Sequence, residues 1–293
     1  MSQSNRKLQH LLELNLAILC ISTSGALGRY ISLPVPLTIE SRALIACVLI
    51  YLFCKWKKFD FTIQGADLRS VLLSGILMGV HWVTYFYSLQ MSNVAIGMLS
   101  LFTYPVITSL LEPLLLKTRF QRIHLLLGAM VLTGTVLLVP DFNLEHDYIP
   151  AIALGLISAL AYSLRNLITK SKVGSYNGSV LMFYQLVVVS VILLPSYFLT
   201  DLSQLPEQIY WVLLLALVTT AIGHTWFIYS FRNFSVTSAS FISSLQPVYG
   251  ILIGMLFLKE YPAASTIFGG LLILASVALE SLNSFTSDPA QKK

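Results

Sequence analysis

Residues 104–117, YPVITSLLEPLLLK, and residues 246–259, QPVYGILIGMLFLK, read as one pattern written twice. Each copy carries proline second in an apolar run and closes on Leu-Lys. Working outward at the same offset of 142 positions, Tyr87-Ser88 falls on Tyr229-Ser230, Val94 on Val236 and Gly128 on Gly270, with no gap. Each copy reads as three apolar helices, the middle one with a central proline, so the chain is a tandem of two similar halves.

The composition says where those halves reside. With 56% hydrophobic and 11% charged residues over 293 positions, the chain has too little polar surface to coat a water-soluble globule. Its charges collect between apolar runs long enough to cross about 30 Å of hydrocarbon. Ten spans follow, at 11–31, 38–54, 69–89, 95–116, 122–139, 150–169, 179–199, 209–229, 236–258 and 264–284. Pro34, Pro36, Pro140, Pro150, Pro206 and Pro262 mark the boundaries. Arg6-Lys7 before an apolar run resembles a signal peptide, but Glu13 and Asn15 interrupt the run and no small-residue cleavage site follows, so a retained first helix is expected.

Placing the N-terminus in the cytoplasm leaves only Arg29, Arg42 and Lys259 of the 18 Lys and Arg residues on the outer side. The C-terminus is then cytoplasmic as well. The net charge of +5 is thereby explained as a topology signal, and nucleic acid is excluded as a partner. Five spans per half is an odd number, so the second half enters the membrane from the opposite face. The expected fold is therefore all-α and polytopic: ten transmembrane helices as two inverted five-helix repeats around a central cavity, with unit boundaries at 1–144 and 145–293.

Candidate cavity residues follow from polar and aromatic groups inside the spans. Pro105 and Pro247 are expected to kink the fourth and ninth helices and free backbone carbonyls. Beside them lie Tyr104, Gln246 and Tyr249. His81, Trp82, Tyr85 and Ser88 form a polar-aromatic stripe on the third span, with His224, Trp226 and Tyr229 as a parallel on the eighth. Aromatic faces can stack on apolar groups or attract ammonium, and imidazole can donate to a carboxylate or exchange a proton. Arg42 could hold a substrate carboxylate bidentately or snorkel to the interface. Tyr184 and Gln185 stand at the matching place in the second half. Tyr162 and Asn166 on the sixth span are further cavity candidates, whereas Arg29 and Arg165 near helix ends are read as snorkelling. Glu112 is expected to form a structural ion pair with Lys117, Arg119 or Arg122, with proton carriage as the alternative. Gly75/Gly79 and Gly250/Gly254 are GxxxG pairs expected to bring helices close.

Several function classes drop out. Cys20, Cys47 and Cys54 lack the spacing of a disulfide framework or metal site, and no HExxH, DDxxD, GxSxG or Walker-type motif is present, so no cofactor, metal or catalytic group is expected and an integral-membrane enzyme is disfavoured. An uptake carrier and a facilitative channel remain as alternatives to an exporter.

The chain resembles the drug/metabolite transporter superfamily, in particular its ten-helix EamA-type members. The resemblance rests on Pro247, Leu258-Lys259-Glu260, Gly269-Gly270, Arg42 after Pro34/Pro36, and the repetition of Pro105 and Gly128. It implies alternating-access transport of small organic metabolites, often amino acids and often outward, in the inner membrane. One departure is that Thr118 stands where the second half has Glu260. The aromatic content of spans three, four, eight and nine suggests a large apolar or aromatic amino acid. A proton is a candidate coupling ion through His81 or His224, and a monomer or weak dimer is expected.

Overall fold

The computed structural model describes residues 3–91, 94–137, 149–258 and 264–286, and all regular structure among them is helical. The first half contains α1 (Gln3–Tyr30), α2 (Val35–Trp56), α3 (Gly65–Met91), α4 (Val94–Leu101), α5 (Tyr104–Leu116) and α6 (Ile123–Leu137). The second contains α7 (Ile149–Val173), α8 (Gly178–Leu193), α9 (Ser196–Leu199), α10 (Leu205–Leu214), a π-helical segment (Leu215–His224), α11 (Thr225–Ser230), α12 (Val236–Ser243), α13 (Gln246–Leu258) and α14 (Ala264–Thr286). Six stretches are long and apolar enough to cross a membrane: Val35–Trp56, Gly65–Met91, Ile149–Val173, Gly178–Leu199, Leu205–Ser230 and Ala264–Asn283. The pairs α4/α5 and α12/α13 each fill one further span in two pieces.

Local sequence sets these boundaries. Pro34 and Pro36 open α2, where a missing N–H costs nothing. The Asn177 side chain accepts from the Ser179 N–H and the Ser235 hydroxyl from the Ser238 N–H, capping α8 and α12. Pro195 separates α8 from α9. Lys117 ends α5 in the left-handed region at φ 55°. In the loop after α2, the Asp60 carboxylate accepts from the Thr62 N–H, which holds its pKa below the usual carboxylate range.

The packing repeats under exchange of the halves. α3 lies on α7 while the π segment lies on α1; α5 also packs on α7 while α13 packs on α1; α2 faces α8, and α6 faces α14. This pairing of each helix with a partner from the other half is what inverted repeats around a shared axis produce. The exterior is apolar, unlike that of a soluble protein, and the largely apolar interior also holds charged groups. Leu8, Leu12, Leu16 and Leu19 form an exposed apolar stripe on α1 and Leu14, Ala17, Ile18 and Ile21 its buried face, while Arg42, Arg165, Glu40, Glu112, Glu280 and three histidines are buried inside.

Three expectations need correction. The fourth and ninth spans are interrupted outright, at Phe102-Thr103 and Ser244-Leu245, immediately before Tyr104-Pro105 and Gln246-Pro247. Gly75 does bring helices together, since a Cβ there would meet the Val188 Cβ at 2.7 Å, but among the described residues nothing lies within 4 Å of one added at Gly250. Gly254's side, the Arg29 side chain and the Lys259-Glu260 step lie outside the described residues. Glu112 forms no ion pair among the described residues: its two oxygens accept from the backbone N–H groups of Val236 (2.9 Å) and Thr237 (2.7 Å), capping the start of α12.

Candidate substrate cavity

The breaks in α4/α5 and α12/α13 and the widened π segment meet near the middle of the bundle, around a cavity of about 40 Å³. Its polar rim is Arg42, His81, His224, Gln246 and Ser24; its aromatic wall is Trp82, Tyr85, Phe86, Phe102, Tyr104 and Tyr162. That space has room for one or two waters and no more. An organic solute has to part the surrounding helices to enter.

Several wall groups are held by a neighbour from another element. Arg42 is 1% exposed; its Nε donates to Thr220 Oγ1 (3.1 Å) and its Nη2 to Thr219 Oγ1 (3.1 Å) and Thr220 Oγ1 (2.8 Å). The π segment makes this fork possible. Its wider turn leaves the Leu215 carbonyl to take both threonine hydroxyl hydrogens, so the hydroxyl oxygens are free to accept from the guanidinium. The guanidinium carbon also sits 4.2 Å from the Trp82 ring centroid. Hydrogen bonds from an ionised donor contribute roughly 1.5–3 kcal/mol each, against an insertion cost of about 2.5–3.5 kcal/mol for a cation at mid-helix. The threonines and Trp82 therefore suffice to keep Arg42 inside without a carboxylate, and the snorkelling account fails. Nη1 has no protein partner among the described residues.

His81 stacks on Tyr162 at 4.3 Å and on Tyr85 at 6.2 Å. Its Nδ1 lies 2.8 Å from Ser158 Oγ, and that hydroxyl donates to the His81 carbonyl (3.0 Å). With the one hydroxyl hydrogen committed there, Nδ1–H is the donor to Ser158 and Nε2 is left as an acceptor. His224 is buried, with no partner for Nδ1 among the described residues, edge-on to Trp82 at 5.5 Å and to Tyr162 at 6.4 Å. Tyr104 reaches across to the Ser243 hydroxyl and the Ser240 carbonyl at the end of α12. Its own carbonyl, at the helix break, accepts from Ser163 Oγ (3.1 Å).

Of the residues expected here, Arg42, His81, Trp82, Tyr85, Tyr104, Tyr162, His224 and Gln246 line the cavity. The others do not. Asn166 and Gln185 are buried behind the wall, where they accept from Arg165: Nη1 to Asn166 Oδ1 at 2.9 Å, Nε to Gln185 Oε1 at 2.9 Å. Arg165 is thus fully buried rather than snorkelling. Tyr184 donates to the Phe61 carbonyl (2.9 Å), Tyr249 to Asn15 (3.1 Å), and Trp226 faces outward at 46% exposure, where an indole meets lipid. Thr219, Thr220, Ser158 and Phe102 were not anticipated; the adjacent threonines in an otherwise apolar run are the one signal that could have drawn attention. Farther off, the buried carboxylate Glu280 accepts from Ser238 (2.5 Å) and stands 3.4 Å from His124, outside the cavity lining.

A lipid-embedded bundle of inverted repeats with broken helices meeting at an internal polar cavity is the architecture of a multi-pass membrane transporter. The pattern of the EamA-like transporter family matches residues 11–139 and again 149–282, so the chain belongs to the EamA-like transporter family, a family of transporters and not of enzymes. It is similar to the pseudopaline exporter CntI of Pseudomonas aeruginosa strain UCBPP-PA14, 26% identical over 90% of this chain and 93% of that one. An uncharacterized transporter of Archaeoglobus fulgidus is also 26% identical, over 73% of this chain and 77% of its own. A solved crystal structure aligns with a TM-score of 0.80 over 95% of this chain and 99% of that chain at 20% identity, a likeness of fold.

Proposed function

We propose that this chain is a secondary active carrier that moves small organic metabolites outward across the inner membrane by alternating access. The observation that carries the reading is the cavity at the meeting of two broken helices, one from each half, with a buried guanidinium on its wall. The absence of any Walker-type motif in the sequence fits a carrier driven by gradients. The similarity to a protein named as an exporter supports the outward direction. In this reading the units 1–144 and 145–293 rock about the cavity, both termini are cytoplasmic by the positive-inside bias, and the protein works as a monomer or weak dimer.

The wall supports solutes with a carboxylate for Arg42 and an apolar or aromatic body for Trp82, Tyr85, Phe86 and Phe102, a description that takes in the aromatic and large apolar amino acids. Because Nε and Nη2 are already used by Thr219 and Thr220, Arg42 offers its Nη1 edge and not a two-pronged fork. A metabolite screen on purified protein in proteoliposomes tests the proposal. Saturable flux that speeds up when the same solute is present on the far side supports a carrier, and linear flux without such stimulation supports a channel. Proton coupling is tested with His81→Gln and His224→Gln together: coupling through these rings predicts loss of the response to an imposed pH gradient, and an intact response removes them from that role.

A further inference from the structure

The charges that bear on the cavity are all of one sign. Arg42 contributes to the wall directly. Arg165 lies three residues along α7 from the wall residue Tyr162, and its partners Gln185, Asn166 and Met182 are all uncharged. Among the described residues neither guanidinium forms an ion pair. Hydrogen bonds to neutral acceptors fix a cation in place but do not cancel its charge, and in a water-poor interior that charge is poorly screened.

The buried carboxylates do not offset them at this site. Glu112 spends both oxygens on the start of α12, and Glu280 is engaged with Ser238 beside His124. Glu40 precedes Arg42 by two residues, about 200° around the helix, and forms no part of the wall. Two of the wall's aromatic faces are already used by the protein itself: Arg42 covers Trp82, and His81 and Phe227 both stack parallel to Tyr162. A zwitterion entering this cavity finds a cation for its carboxylate but, among the lining residues, only neutral acceptors and no anion for its ammonium.

We infer that the cavity selects net-negative organic acids, a carboxylate on an apolar or aromatic body with no compensating ammonium, over zwitterionic amino acids of the same shape. This rests on the carrier reading above and narrows its substrate class. Hydroxy acids and their amino-acid counterparts provide the test, since they differ in charge and hardly in size. Binding of 3-phenyllactate, 2-hydroxyisocaproate, phenylalanine, leucine and 2-phenylethylamine to the purified full-length protein is measured by thermal shift and by tryptophan fluorescence. The expected result is that each hydroxy acid binds about tenfold or more tightly than the matching amino acid, that the amine does not bind, and that Arg42→Gln levels the series. The inference is overturned if the amino acids bind as well as the hydroxy acids, or if neither hydroxy acid binds at millimolar concentration. The carrier reading fails separately, by the absence of saturable, trans-stimulated flux for any screened metabolite.

Discussion

Arg42 on α2 and Gln185 on α8 occupy matching places in the two halves, yet they do different things. In the first half the cation itself stands at that place, held by two threonines of a π segment, and keeps one edge toward the cavity. In the second half the place is neutral, and Gln185 is fully engaged: it accepts from Arg165 on α7 and donates to Ser74 (2.9 Å) and Thr169 (3.0 Å). One pole is unfinished and faces the cavity; the other is complete and faces the protein. Duplication has preserved the backbone plan, while the chemistry of the two copies has diverged, so the cavity is asymmetric.

The comparison is broken most sharply by removing each cation. Arg42→Gln is expected to lower flux about a hundredfold or more, in line with the 2–5 kcal/mol that loss of one partner of a buried charged contact costs, while unfolding shifts down by less than in Arg165→Gln because Thr219 and Thr220 keep the Leu215 carbonyl as a partner. Arg165→Gln is expected to do the reverse: unfolding shifts down markedly because Gln185 and Asn166 lose their donor, and flux per folded molecule falls by less than about tenfold. Equal loss of flux in both variants contradicts the asymmetry. Thr219→Val combined with Thr220→Val leaves the guanidinium without its acceptors, and a flux loss of roughly tenfold is expected, readable in the same vesicles.

Smaller effects sharpen the packing side of the comparison. Gly75→Ala forces its new Cβ onto Val188 and is expected to cost about 1–3 kcal/mol in thermal unfolding, whereas Gly250→Ala, whose Cβ meets nothing among the described residues, is expected to be neutral or to gain up to about 1 kcal/mol. Glu112→Gln weakens the cap on α12 by about 1 kcal/mol. It leaves the pH profile of flux unchanged, whereas a proton-carrying Glu112 requires the profile to flatten.

Hydrophobic runs, proline punctuation and the 142-residue offset made the ten spans and their inversion legible, because each depends on sequence-local chemistry. Cavity residues were legible where polarity and periodicity coincided, as along His81, Trp82 and Tyr85. The reading fell short where a side chain's direction depends on a partner helix. Trp226 shares the eighth span with His224, two residues away and so on another face, and that rotation puts its ring on the lipid side. Tyr249 and Tyr184 have hydroxyls satisfied by Asn15 and the Phe61 carbonyl, partners more than 120 positions distant. The π segment was invisible because Leu215–His224 has an ordinary apolar composition; its wider turn shows only once Thr219 and Thr220 are seen sharing the Leu215 carbonyl.

The central claim, a cavity reached in turn from each face of the membrane, is tested most directly with a single reporter thiol. Ser24→Cys, on the cavity wall, is placed in a chain with Cys20, Cys47 and Cys54 replaced, and membrane-impermeant maleimide is applied to vesicles of each orientation. The account predicts labelling from both sides, slowed from both by a transported solute. Labelling from one side only, or from neither, contradicts it.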